Sequence, residues 1–150
     1  MQINIEVNGR PRLLEIANGD YLLDVLRAAD CISVRRGCDS TSCGVCTVLV
    51  DGKPVPSCSY LAVRADGHRI TTVEGIAAEA EKLAGHFGAE GADQCGFCNP
   101  SFALVAYALK QTNPNATDDE IREWFVGNLC RCSGYQSQLL AIRHYLEDRS

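Results

Sequence analysis

Between residues 2 and 8 (QINIEVN) polar and apolar side chains alternate, the period of a strand with one buried face. Asn8-Gly9 is a tight-turn signal, and residues 12–16 can return as the second strand of a hairpin. Leu22, Leu23, Leu26 and Ala29 then recur at helical spacing, which predicts a helix over residues 21–29 with Asp20 as its cap. Residues 33–46 are rich in Gly, Ser, Thr and Cys and read as a loop. The β-branched run 47–50 ends at Asp51-Gly52, a second hairpin turn, and the following segment, 55–61, carries Cys58. Residues 68–72 read as a last short strand.

From residue 74 onward the period becomes helical. An Ala-rich helix is expected over 76–87. Pro100 suits the first turn of a helix running to about residue 111, where Asn113-Pro114 breaks it. Thr117 followed by Glu120 is a capping box for a helix to about residue 125, and a fourth helix is expected over 134–146. The chain therefore reads as α+β, with a boundary near residue 74. Residues 1–74 would form a small β-grasp sheet with a loop after its helix, and residues 75–150 a four-helix domain.

Composition narrows the class. At 150 residues and 46% hydrophobic, two half-size domains would each have a thin core and would gain from a metal staple. The net charge of −5 argues against a nucleic-acid partner, and no apolar run reaches membrane-spanning length. The first sixteen residues lack a basic segment followed by an apolar one, so a cytoplasmic location is expected. In that compartment nine cysteines point to thiolates on metal and not to disulfides.

Eight of these cysteines form two sets. Cys38-x4-Cys43-x2-Cys46, completed by Cys58 beyond the next hairpin, has the spacing of a plant-type [2Fe–2S] site. Gly37 and Gly44 would let the backbone approach the sulfurs closely. A zinc site is the competing reading, but zinc knuckles usually bring ligands in two short pairs, whereas here the fourth cysteine stands alone. The second set, Cys95-x2-Cys98 with Cys130-x-Cys132, is compatible with either metal by spacing. Each pair precedes a predicted helix, whose N-terminal N–H groups would favour anionic sulfur.

Three segments together resemble a known family: residues 37–50 (GCDSTSCGVCTVLV), 94–100 (QCGFCNP) and 127–135 (GNLCRCSGY). They are similar to the small iron–sulfur subunit of molybdenum hydroxylases, the xanthine dehydrogenase and aldehyde oxidase family. The resemblance covers about residues 3–143. It implies a plant-ferredoxin-like β-grasp domain followed by a four-helix domain, each holding one [2Fe–2S] cluster. Cys38, Cys43, Cys46 and Cys58 would hold one, and Cys95, Cys98, Cys130 and Cys132 the other. The C-terminal cluster would lie beside a molybdopterin held by a large partner subunit, with Gln94 and Cys132 touching it. The N-terminal cluster would face a medium FAD-binding subunit. Electrons would run from molybdenum through both clusters to FAD, in a hetero-oligomer such as a dimer of heterotrimers that hydroxylates a purine, another N-heterocycle or an aldehyde. Thr41, Asn99, Ser101 and Gln138 depart from the family's usual residues without removing a ligand.

Outside these sets, Cys31 reads as a small buried hydrophobe. His68, His86 and His144 read as surface residues, Trp124 and Phe125 as helical core, and Arg35 and Arg36 as solvated, ahead of docking an acidic partner or raising the cluster potential. No Ser/His/Asp set or phosphate-binding glycine loop is visible, so the chain is expected to have no catalytic site of its own. The alternatives to an enzyme subunit are a free-standing two-cluster ferredoxin and a zinc-stapled interaction module.

Overall fold

A computed structural model describes residues 1–149. The N-terminal half is a five-stranded sheet of β1 (Gln2–Val7), β2 (Arg10–Glu15), β3 (Thr47–Val50), β4 (Lys53–Pro56) and β5 (Arg69–Thr71), in the order β2-β1-β5-β3-β4. β1 and β5 are parallel; the other neighbours are antiparallel. Both predicted hairpins form. Asn8 and Asp51 have φ of +52° and +48°, and Gly9 and Gly52 have +77° and +82°, so each turn has two left-handed residues in succession. The alternation of β1 buries Ile3, Ile5 and Val7 against helix α1 (Leu22–Ala28), which contributes Leu22, Leu23 and Leu26.

Asp20 does not cap α1. Tyr21 is the N-cap residue and has no side-chain cap bond. Asp20 instead accepts the Ala17 N–H through its carboxylate at 2.8 Å, and its carbonyl accepts the Ala62 N–H at 2.8 Å. It tightens the loop leading into the helix.

Strand β3 is buried at all four positions, unlike β1. The reason lies in the helical half. There α2 (Ala77–Ala89), α3 (Asn99–Thr112), α4 (Asp118–Trp124) and α5 (Gln136–Glu147) pack together. Leu104 and Ala108 of α3 meet Leu49 of β3 and Ile76, so the sheet has α1 on one face and α3 on the other. α3 is consequently buried on nearly all sides. Its Phe102 stacks on Phe125 at 5.2 Å and meets Phe87 edge-on at 6.4 Å. Trp124 lies at the edge of this core, 37% exposed, and its indole N–H donates to the Val105 carbonyl at 3.0 Å. The Thr117–Glu120 capping box forms as its spacing predicts. α5 starts later than expected, because Gly134 and Tyr135 are both left-handed, with φ of +68° and +72°.

Candidate functional site

The loop between α1 and β3 carries Cys38, Cys43 and Cys46. A short 3-10 turn, Ser57–Ser59, brings up Cys58 after the β3–β4 hairpin. The sulfurs associate in twos: Cys38 with Cys43, and Cys46 with Cys58. The loop curls so that the backbone N–H groups of Cys43, Ser40 and Ser42 reach the Cys38 sulfur, and the Cys43 side chain adds to them. Together they bring that thiol down to about 6. Burial drives the Cys58 thiol the other way, to about 12, with the Cys46 sulfur adding to the effect. The turn is tight at Gly37, where a Cβ would stand 3.1 Å from the Cys43 sulfur.

The second set has the same arrangement. Cys98 is the N-cap residue of α3, and Cys130 and Cys132 lie on the loop between α4 and α5. Cys98 associates with Cys130, and Cys95 with Cys132. Of the two sequence pairs, only Cys95-x2-Cys98 stands at a helix N-terminus, since α5 begins four residues beyond Cys132. Burial raises the Cys98 thiol to about 12, and its hydrogen bond to the Cys130 sulfur adds to it. Burial also pushes Cys130 upward, but the Ser133 hydroxyl and the N–H groups of Cys132 and Ser133 outweigh it and bring the thiol to about 7. Cys98 is buried, whereas Cys95 and Cys132 are exposed. The exposed Gln94 sits on that outer edge and donates from Nε2 to the Cys132 carbonyl at 3.3 Å.

Four cysteine sulfurs brought together twice over suit a binuclear cluster, in which each iron takes two cysteines.

Comparison with known proteins agrees. Residues 5–71 match the family described as a 2Fe-2S iron-sulfur cluster binding domain, and residues 72–143 match the [2Fe-2S] binding domain family. The nicotinate dehydrogenase small FeS subunit of Eubacterium barkeri is 42% identical over 97% of this chain and 94% of its own. The nicotine 6-hydroxylase small subunit of Paenarthrobacter nicotinovorans is 40% identical over 95% and 87%. The crystal structure of quinoline 2-oxidoreductase from Pseudomonas putida 86 superposes with a TM-score of 0.90 at 38% identity, over 98% of this chain and 94% of that one. The chain belongs to the small iron–sulfur subunits of the molybdenum hydroxylases. It is an electron-transfer subunit of a heteromeric enzyme and binds two iron–sulfur clusters.

In this iron–sulfur subunit the two cysteine loops are stitched directly together. The Leu129 N–H donates to the Cys43 carbonyl at 2.9 Å, and the Asn128 amide donates to the Gly44 carbonyl at 3.3 Å. Gly44 has φ of +68° and lies so near the α4–α5 loop that a Cβ would stand 2.1 Å from the Gly127 carbonyl oxygen. Arg35 is not solvated. Its Nη1 donates to the carbonyls of Gly96 and Phe97, both at 2.9 Å, and its guanidinium lies 5.3 Å from the Phe97 ring centre. Arg36 is solvent-exposed and pairs with Asp24 at 2.8 Å.

Thr41 has φ of +58°, a region that disfavours a β-branched side chain and suits glycine. Cys31 packs in the N-terminal core, as its sequence context suggests. The histidines pair with carboxylates away from both sites: His68 with Asp51, His86 with Asp148 and His144 with Glu90. Sequence reading gave Asn128 and Ser133 no role of their own within the segment 127–135. A polar residue on a loop has no periodic signal; only its contacts reveal it.

Proposed function

We propose that this chain relays electrons from a molybdopterin-bound molybdenum on a large partner subunit to FAD on a medium one. Cys95, Cys98, Cys130 and Cys132 would hold the [2Fe–2S] cluster near molybdenum, and Cys38, Cys43, Cys46 and Cys58 the cluster near FAD. When bound, such clusters supply one-electron storage with little rearrangement of the protein around them. The chain's own residues set spacing, burial and hydrogen bonding to sulfur. The observation that carries this reading is the Leu129–Cys43 hydrogen bond, which ties the residue beside Cys130 to a cysteine of the other set.

The direction of the relay is supported by exposure. Cys95, Cys132 and Gln94 face outward, where a pterin on a partner could reach Gln94 and Cys132. On the segments that carry the second cysteine set Phe97, Leu129 and Tyr135 are exposed apolar side chains, as is Val126 by 82%. Such a rim suits a surface covered in a complex and disfavours a free-standing ferredoxin. The relatives named above act, by name, on nicotinate, nicotine and quinoline, and an N-heterocycle is the substrate class we assign to the complex. We take residue 74 as the boundary between the two cluster domains, and a cytoplasmic location, where eight thiols stay reduced.

The test is anaerobic purification of the native complex, with metal analysis and EPR of the reduced sample. About four irons per chain, two distinct [2Fe–2S] signals and co-eluting molybdenum and flavin are expected. About four irons with no molybdenum or partner would turn the reading to a mobile ferredoxin. Zinc in place of iron would overturn it.

A further inference from the structure

Gln138 is 1% exposed, on the inner face of α5. Burying a carboxamide is costly unless both ends are hydrogen-bonded. Here both ends are used. Its Oε1 accepts from the Ser133 hydroxyl at 2.8 Å, and its Nε2 donates to the Cys98 sulfur at 3.9 Å. The Ser133 oxygen itself accepts the Tyr135 N–H at 3.1 Å and gives its one proton to Gln138 Oε1. With Oε1 held there, the amide turns its N–H toward Cys98. Turned over, it would aim its oxygen at a sulfur that carries negative charge whenever iron is bound.

A neutral thiol is a weak acceptor and a poor reason to bury an amide; a metal-bound thiolate is a much better one. On the reading that Cys98 and Cys130 are cluster ligands, we propose that Gln138 is a positioning residue that sets the reduction potential of the C-terminal cluster. Taking up one electron makes the cluster and its thiolates more negative. An N–H aimed at a ligand sulfur stabilises the reduced state more than the oxidised one and raises the potential. An apolar side chain at position 138 would leave the potential lower and would weaken the pull on electrons arriving from the outer edge of the cluster. Ser133 serves the same end by fixing the amide.

The test uses the whole purified complex, with Gln138→Met, which keeps the length and lacks the N–H, and Gln138→Leu. Redox titration followed by EPR should show one cluster shifting to a more negative midpoint while the other stays in place. The shift expected is up to about tenfold in the one-electron equilibrium, or about 59 mV. Iron content should be unchanged. In the unaltered complex, 15N labelling of glutamine side chains should give a nitrogen coupling on one cluster's pulsed-EPR signal. That coupling should survive Gln94→Ala, and this measurement does not depend on any position-138 variant folding. Two loaded clusters with unmoved midpoints, equal shifts in both, or no glutamine coupling would overturn the role of Gln138 and leave the relay standing. Absence of two [2Fe–2S] signals in the unaltered complex would instead remove the relay itself.

Discussion

The backbone N–H of Leu129 points at the carbonyl oxygen of Cys43 across 2.9 Å, joining two loops that are far apart in sequence. Cys43 packs against the helical core together with Val45, Cys98 and Cys130, while Cys46 and Cys58 belong to the core of the sheet. The first cysteine loop thus straddles both cores. The two sets are held at a distance defined by backbone, the least flexible material available. A relay needs that constancy, because transfer depends steeply on separation.

Gly44 is where this apposition is most sensitive to substitution. Gly44→Ala would add a Cβ 2.1 Å from the Gly127 oxygen, at a backbone φ of +68° that alanine disfavours. The expected loss is more than about 2 kcal/mol, because the left-handed strain and the displaced loop act together. Thermal unfolding of the purified complex and its iron content measure it. An unchanged midpoint with full iron would mean that the loops are not held as closely as described.

Adjacent arginines should behave differently. Arg35→Ala removes two hydrogen bonds to the Gly96 and Phe97 carbonyls and a ring contact, and should cost about 1–3 kcal/mol. Arg36→Ala removes only an exposed ion pair with Asp24 and should cost under about 1 kcal/mol. Parallel denaturant titrations of the two variants decide it. Equal effects would contradict the assignment of Arg35 as a bridge between the halves.

Thr41 is a site for improvement. Its left-handed backbone strains a β-branched residue by about 1–2 kcal/mol, and glycine would relieve this at a cost of about 0.5–1 kcal/mol in chain entropy. Thr41→Gly is expected to stabilise the first loop by up to about 1 kcal/mol. The check is the rate of iron loss to a chelator, which should fall; a faster loss would show that the Thr41 hydroxyl, bonded to the Ser40 carbonyl at 2.7 Å, matters more than the strain.

Cysteine replacements separate ligands from bystanders. Cys58→Ala should abolish one [2Fe–2S] EPR signal and halve the iron, and Cys130→Ala should abolish the other. Cys31→Ala should keep both signals, because Cys31 is buried among Ile3, Leu26 and Val34 and associates with neither set. It should lower stability by about 1 kcal/mol, the order expected for trimming a small buried side chain. Loss of a signal in Cys31→Ala would reopen the ligand assignment.

Local rules carried much of the reading. Hairpins at Asn8-Gly9 and Asp51-Gly52, the Thr117 capping box and the Pro100 helix start depend on residues within a few positions of each other, and each appears where its chemistry predicts. The misplacements also have local causes. Asp20 had a nearer N–H to accept at Ala17 than any in the helix, and the left-handed pair Gly134-Tyr135 delays α5. The spacing of Cys38, Cys43, Cys46 and Cys58 alone pointed to a cluster, because three thiolates on one tight loop limit the metal that fits; the two close pairs of the second set left zinc and iron–sulfur both open, and the resemblance decided between them.

What only the tertiary structure decided are contacts that no short window contains. Arg35 meets Gly96 across 61 positions, and Gln138 meets Cys98 across 40. An arginine beside a loop reads as solvated by composition, and a glutamine on a helix carries no sign of what it meets; docking of α3 onto β3 and closure of α5 over Cys98 turn them inward. The sequence by itself brought out two sets of four thiols suited to a metal, since that rests on side-chain chemistry and spacing. The fold decided how the sulfurs pair, how near the two sets stand and which N–H groups face them, since those follow from how two separately formed cores pack together.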